Sequence, residues 1–218
     1  MIKLTNIKTF ALAGLIVIGL FAQSKNVHAA GLETLTVAGG CFWCVEADFE
    51  KVKGVQGAIS GFAGGTVENP TYKQVTGGGT GHYEAVQITF DSGVVSANAL
   101  LDLFFRSIDP TDAGGQFCDR GNSYRTAVFA TGAQESAAQK AKADAQAALG
   151  QKIVTPILGA SQFWPAEAYH QDYYKSSKLV ITRFGPKKQA SAYKAYRDAC
   201  GRDARVKQLW GSQAPFAG

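Results

Sequence analysis

Cys41 and Cys44 stand three positions apart in the stretch VAGGCFWC, with two glycines in front and two large aromatics between them. The preceding segment, ETLTVAGG, alternates as a strand does. The following one, FWCVEADFEKV, puts Phe42, Val45, Phe49 and Val52 at helical spacing. Cys41 therefore falls where a strand has stopped and a helix is about to start, and glycine permits the turn between them. A thiol at that position meets the positive end of the helix dipole and free amide N–H groups, which predicts a lowered pKa and a nucleophilic thiolate. Cys44, one turn inside the helix, gains less. The competing reading is a buried, inert cysteine pair. Phe42 joins the apolar stripe of the helix, whereas Trp43 does not. An off-stripe indole beside a reactive thiol either walls a hydrophobic substrate pocket or packs under a loop.

A second group with chemical potential lies in GHYEAVQITF. Read as a strand, it sets His82, Glu84, Val86, Ile88 and Phe90 on one face, which turns apolar after Glu84. A carboxyl at the rim of an apolar face is partly desolvated, so its pKa rises and it can donate a proton near neutral pH. An ordinary strand-end glutamate paired with a lysine or arginine is the other reading. Asp109, Asp112 and Asp119 belong to a long loop, DPTDAGGQFCDRGNS, and long ordered loops often carry function. Tyr72, Tyr83 and Tyr124 sit in loops or at strand ends, where a phenol can donate to a polar substrate oxygen or simply pack.

The frame that must hold these residues is a chain of 218 residues, 46% hydrophobic and 18% charged, which suits one globular domain. The start stands apart. Lys3 and Lys8 precede the apolar run FALAGLIVIGLFA, and a polar stretch then ends in NVHAA. This pattern predicts a secretory signal peptide over residues 1–29, cleaved near Ala29 or Ala30, and a mature domain over 30–218. The product would be exported, periplasmic or extracellular; an uncleaved segment tethering the protein to a membrane is the alternative. The run is too short for a comfortable membrane span. Removing Lys3, Lys8 and Lys25 lowers the formal net charge from +5 to +2. The remaining basic cluster, Arg197, Arg202, Arg205 and Lys207, reads as a solvated helix face and not as a nucleic-acid site. In an exported protein Cys41, Cys44, Cys118 and Cys200 invite a structural-disulfide reading. A zinc site would need a second close pair, and Cys118 and Cys200 are far apart, so no metal is expected.

Further along, GAISGFAGG and YRTAVFA read as strands, KIVTPIL as strand-like and NPTYKQVTGGGTGHY as loop. SANALLDLFFRSI reads as a helix that Ser96 can cap, and AQESAAQKAKADAQAAL as a surface helix. PAEAYHQDYYKSS and KKQASAYKAYRDAC also read as helices. Such a mixture gives either a doubly wound α/β fold or a two-layer α+β sandwich.

Taken together, GGCFWCVEADF, GFAGGTVENPTYKQV, TGHYEAVQITFD, DPTDAGGQFCDRGNSYRTAVF and EAYHQDYY resemble, in that order, the A-type peptide-methionine sulfoxide reductases. The resemblance runs from about Thr36 to Tyr174. It implies an α+β two-layer sandwich with a ferredoxin-like core. It implies reduction of the S epimer of methionine sulfoxide, free or in proteins. The family's nucleophile matches Cys41, which would attack the sulfoxide sulfur, release methionine and become a sulfenic acid. The proton donor matches Glu84, the S-methyl-binding aromatics Phe42 and Trp43, the oxygen-binding tyrosines Tyr72 and Tyr124, and the substrate-positioning aspartate Asp119. No bound cofactor is implied. An intramolecular disulfide would be reduced by an external thiol, a thioredoxin-like protein or dithiothreitol in vitro, and the protein would act as a monomer.

The chain also departs from common members. Many carry glycine at the position of Cys44 and asparagine at that of Cys118, with the recycling cysteine in a Gly/Tyr-rich tail. Here Cys200 lies in YRDACGRDARVKQLWG instead. For recycling the order of preference is Cys200, then Cys44, then Cys118. The rival activity is a general thiol-disulfide oxidoreductase using Cys41 and Cys44. Small or proline residues between the cysteines would favour it, and Phe42 and Trp43 stand there instead.

Overall fold

The computed structural model describes residues 31–182 and 185–218; the expected signal segment and its cleavage site lie outside them. Strand β1 (Leu32–Gly39) leads through Gly40 and Cys41 into helix α1 (Phe42–Phe49), as the sequence pattern predicts. There follow β2 (Val55–Ala63), α2 (Tyr72–Gly77), β3 (Tyr83–Asp91) and α3 (Ala97–Arg106). Next come β4 (Gly115–Gln116), β5 (Asp119–Arg120), β6 (Thr126–Phe129), α4 (Gly132–Leu149), β7 (Ile157–Leu158) and β8 (Trp164–Pro165). The chain closes with β9 (Leu179–Thr182), β10 (Gly185–Lys188), α5 (Gln189–Ala199) and α6 (Arg202–Trp210).

Six strands form one mixed sheet in the order β7-β6-β1-β3-β2-β8. Strand β3 pairs antiparallel with both β1 and β2, and β1 pairs antiparallel with β6. Among the described strands only β6 and β7 run parallel. A doubly wound fold needs a largely parallel sheet, so that alternative fails. The alternation of β3 splits its side chains as expected. Val86, Ile88 and Phe90 join Leu35 and Val37 of β1, Phe42, Val45 and Phe49 of α1, and Leu100, Phe104 and Phe105 of α3 in the main core. Tyr83 and Ala85 point the other way, into a smaller cluster with Ala38, Ala127 and Phe129. Ser96 caps α3 by accepting from the Ala99 N–H at 3.2 Å.

Three local expectations are corrected. The NPTYKQV stretch is not all loop: Thr71 and Gln74 form a reciprocal capping box that starts α2. PAEAYHQDYYKSS is a run of turns and not a helix. Asp172 has φ 55°, and its N–H donates to the buried Glu46 carboxylate at 2.6 Å, so a tertiary partner replaces the helical one. The arginines near the C-terminus are not a solvated face. Arg197 lies 2.9 Å from the fully buried Asp48 of α1, and Arg205 lies 2.7 Å from Asp109. Arg202, 1% exposed, donates to Gly39 O at 3.1 Å and Ser107 O at 2.9 Å.

The β1–α1 junction depends on glycine in a specific way. Gly40 has φ 80°, and a Cβ there would lie 2.5 Å from Gln116 Cβ. Gly78 has φ 85° but open space around it. Gly40→Ala is expected to cost about 2 kcal/mol or more, from left-handed strain plus overpacking, whereas Gly78→Ala carries the strain alone. Thermal unfolding of the two variants checks this. Equal losses of Tm would contradict the clash at Gln116.

Candidate active site

The junction brings α1 and β3 together. Cys41 is the N-terminal flanking residue of α1, 7% exposed, with its carbonyl accepting from the Cys44 N–H at 3.1 Å. The first helical N–H, that of Phe42, donates to Glu84 Oε2 at 3.0 Å. Glu84 is the second residue of β3, 1% exposed, and its Oε1 has no hydrogen-bond partner among the described residues. Around them lies a cavity of about 70 Å³. Its walls include Cys41, Phe42, Trp43, Tyr72, Glu84, Asp119 and Tyr124, so the nucleophile, proton-donor and substrate-binding candidates from the sequence converge on one point. Asp109, Asp112 and Tyr83 do not. Asp109 accepts from Arg205 and Thr111, Asp112 pairs with Arg120, and the Tyr83 ring packs 5.7 Å from Phe129.

Burial pushes the Glu84 carboxyl up to about 8, partly opposed by the Phe42 N–H and reinforced by the nearby Asp119. Among the described residues no lysine or arginine forms the strand-end ion pair that competed with this reading. Cys41 differs from expectation: its pKa is raised, first by burial, then by the adjacent Cys44 thiol and the carboxyls of Glu84 and Asp119. The helix dipole does not prevail here, because the amide that would stabilise a thiolate is spent on Glu84. Cys44 is pulled down by its hydrogen bond with Cys41 and by the positive Arg202 and Arg197 behind α1. Burial raises both Tyr72 and Tyr124, keeping them as hydroxyl donors.

The aromatic wall is layered. Trp43 stacks on Tyr173 at 3.8 Å with the rings within 8° of parallel, and Phe42 lies 5.9 Å from Tyr72. Behind them sits His170, 5.1 Å from Phe42 and 4.3 Å from Tyr72. Neither of its ring nitrogens has a partner among the described residues, and burial lowers its pKa to about 4, so it is neutral. Tyr196 of α5 completes the cavity, its hydroxyl donating to Asp119 Oδ2. Sequence reasoning missed Tyr173, His170 and Tyr196. The first two lie within the EAYHQDYY motif, which was a signal without an assigned role; Tyr196 carries none.

The cysteines sort into two pairs. Cys41 and Cys44 are free and buried, while Cys118 and Cys200 are joined in a disulfide, their Cα atoms 4.9 Å apart. Cys200 is thus bonded to Cys118 and not to Cys41. Among the described residues two groups of potential metal ligands occur, Cys118–Asp119–Cys200 and Glu46–Glu50–Asp172. In the first the sulfurs are bonded to each other. In the second Glu46 accepts from Ser60 and Asp172, and Glu50 from Tyr174 and Lys175, so neither presents a free ligand set.

The family model described as peptide methionine sulfoxide reductase matches residues 33–213. The peptide methionine sulfoxide reductase MsrA 2 of Caulobacter vibrioides is 47% identical over 200 residues, covering 91% of this chain and 95% of that protein. The protein of the same name from Rhizobium meliloti is 48% identical over 194 residues, covering 88% of this chain and 89% of its own. Among solved structures, methionine sulfoxide reductase A of Corynebacterium diphtheriae superposes with TM-score 0.61 at 33% identity, over 67% of this chain and 75% of that one.

The raised Glu84 pKa has a consequence for stability. The folded protein keeps this proton up to about pH 8, whereas an unfolded glutamate loses it near 4.3. Raising pH through that window therefore weakens the fold. Glu84→Gln removes the effect, so its Tm advantage over the parent should grow from pH 5 to pH 8. A gap that stays flat or narrows across the window would contradict the assignment.

Proposed function

Because the chain belongs to the peptide methionine sulfoxide reductase family, we propose that its Cys41 cavity reduces the S epimer of methionine sulfoxide, free or in proteins, to methionine. The observation that carries the residue assignment is a thiol and a protonated carboxyl sharing one small cavity of about 70 Å³. Sulfoxide reduction needs a soft nucleophile at sulfur and a proton for the oxygen, and Cys41 and Glu84 are those groups. Phe42 and Trp43 receive the S-methyl group. Tyr72 and Tyr124 donate to the sulfoxide oxygen, and Asp119, steadied by Tyr196, orients the substrate.

In this mechanism Glu84 passes its proton to the sulfoxide oxygen as the Cys41 sulfur bonds to the substrate sulfur. The oxygen then moves to Cys41, methionine leaves, and Cys41 becomes a sulfenic acid. Two electrons have passed from Cys41 to the substrate. The proton lost by the thiol restores Glu84, and the carboxylate formed in between is held by the Phe42 N–H. Cys44 then attacks Cys41, expels water and closes a disulfide. This reverses the order of preference drawn from the sequence: Cys44 is the free thiol one helical turn from Cys41, whereas Cys200 is engaged with Cys118. An external dithiol, a thioredoxin-like protein or dithiothreitol, returns the enzyme to its thiol form without a bound cofactor. The rival general thiol-disulfide exchange is disfavoured, since the bulky Phe42 and Trp43 stand between the cysteines where small or proline residues would favour it.

The same proposal covers the whole protein. It is a monomeric domain over 30–218, a two-layer α+β sandwich on a ferredoxin-like core, exported behind a cleaved segment 1–29. The antiparallel β2–β3–β1 arrangement supports the fold, and the lysines, apolar run and NVHAA stretch support export. No nucleic acid takes part: Arg197, Arg202 and Arg205 are committed to internal contacts.

Cys41→Ser should release no methionine even in a single turnover. Glu84→Gln should lower kcat/KM by roughly 10²–10⁴-fold near pH 7, and a loss under threefold would remove Glu84 from the chemistry. After one turnover without reductant, peptide mapping should find a Cys41–Cys44 bridge beside an intact Cys118–Cys200 bridge. A Cys41–Cys200 or Cys41–Cys118 bridge would refute Cys44 as the resolving thiol.

A further inference from the structure

Glu46 lies on α1, three residues beyond Trp43, and is 1% exposed. It is not a wall of the Cys41 cavity. Its two oxygens hold two different parts of the chain. Oε2 accepts from the hydroxyl of the buried Ser60 on β2, and Oε1 accepts from the Asp172 N–H at 2.6 Å. The neighbouring Gln171 side chain grips the same strand residue. Its Oε1 accepts from the Ser60 N–H at 3.0 Å, and its Nε2 donates to Ser60 O at 2.8 Å and Ala166 O at 3.0 Å. Gln171 and Asp172 are thus clamped to α1 and β2 together, while the residues on either side of them, His170 and Tyr173, join the aromatic wall. The clamp holds Asp172 at φ 55°, a left-handed conformation that a non-glycine residue keeps only where its surroundings enforce it.

The Tyr173 ring stacks on Trp43 at 3.8 Å, whereas the rings of His170, Phe42 and Tyr196 lie 5.6, 6.2 and 6.3 Å from the indole. Trp43 Nε1 is buried without a hydrogen-bond partner among the described residues. The orientation of the indole therefore rests on packing, and Tyr173 is its closest support. Resting on the proposed sulfoxide reductase activity, we propose that Glu46 is a positioning residue for substrate binding. Through the Asp172 amide it holds Tyr173 flat against Trp43, and so keeps the indole where the S-methyl group meets it. The contacts run in step along one side of the helix: Glu46 with Asp172, and Trp43, three positions earlier, with Tyr173. Among the described residues no hydrogen bond links Glu46 to Cys41 or Glu84, and the Glu84 carboxyl is held by the Phe42 N–H instead. Loss of Glu46 thus weakens substrate binding and spares the chemical step. What Glu46 supplies is an acceptor at a fixed point and not a charge, so glutamine can replace it. The amide oxygen takes the Asp172 N–H, and the amide nitrogen donates to Ser60 Oγ.

The test measures steady-state reduction of methionine S-sulfoxide, driven by dithiothreitol, in the parent, Glu46→Ala, Glu46→Gln, Tyr173→Ala and the double variant Glu46→Ala with Tyr173→Ala. Glu46→Ala should raise KM tenfold or more and leave kcat within threefold. Glu46→Gln should keep KM within threefold of the parent. On top of Tyr173→Ala, Glu46→Ala should change KM less than twofold, because its effect passes through that ring. Ser60→Ala frees one oxygen of the Glu46 carboxylate and gives the same comparison if Glu46→Ala does not fold. It should raise KM threefold or more alone and leave it unchanged on top of Tyr173→Ala. Effects that multiply in the double variant would mean that Glu46 acts elsewhere, and would overturn the role. An unchanged KM, a loss confined to kcat, or a Glu46→Gln as impaired as Glu46→Ala would overturn it too. A parent unable to reduce the sulfoxide would instead refute the underlying activity, and this role for Glu46 with it.

Discussion

A hydrogen bond from the first amide of α1 to a buried carboxyl, Phe42 N–H to Glu84 Oε2 at 3.0 Å, ties the site together. It joins the helix that carries Cys41 to strand β3 at the middle of the sheet, and it takes up the amide that would otherwise favour a Cys41 thiolate. Burial keeps Glu84 protonated up to about 8, and the same burial, with Asp119 close by, keeps Cys41 as a thiol. The reacting pair, Cys41 and Glu84, is therefore uncharged at rest. That suits a neutral, strongly dipolar sulfoxide, which would otherwise compete with water. Charge develops only as the reaction proceeds, and the donors that will meet it are already in place.

Such a site costs stability, and the C-terminal helices offset part of that cost. Arg202 bridges Gly39 O, Ser107 O and the ring of Phe117, binding together the end of β1, the end of α3 and the loop that carries Cys118. Arg197 holds Asp48, on the buried side of α1, and Asp203 of α6 at once. These contacts fix α1 from behind while leaving its front to the cavity. They also supply the positive potential that lowers the Cys44 thiol, so the helix that positions the nucleophile also prepares its partner. Buried pairs of this kind contribute less to net stability than to a unique arrangement, because desolvation takes back much of the Coulomb gain.

Period and capping made much of this legible in the sequence. The strand-to-helix step at Cys41, the apolar face of β3 beyond Glu84 and the Ser96 cap all follow from local rules, and local interactions decide them in the structure. What failed was decided by distant partners. The lowered pKa expected for Cys41 assumed a free helix-end amide, and Glu84, 42 positions away, occupies it. The arginine cluster looked solvated because Asp48 lies 149 positions from Arg197. PAEAYHQDYYKSS carries a helical composition, yet Glu46 of α1 captures the Asp172 amide and bends the chain into turns. Tyr196 and His170 reach the site through tertiary packing alone, so no spacing announced them.

The protonation state of Glu84 is central to this chemistry, and it can be read without turnover. With glutamate labelled at the side-chain carboxyl carbon, the NMR resonance absent from Glu84→Gln identifies the residue, and its chemical shift can be followed with pH. A titration midpoint near 8 is the expected result. A midpoint between 4 and 5, the ordinary range of a solvated glutamate, would mean that Glu84 is a carboxylate at neutral pH and cannot be the proton donor.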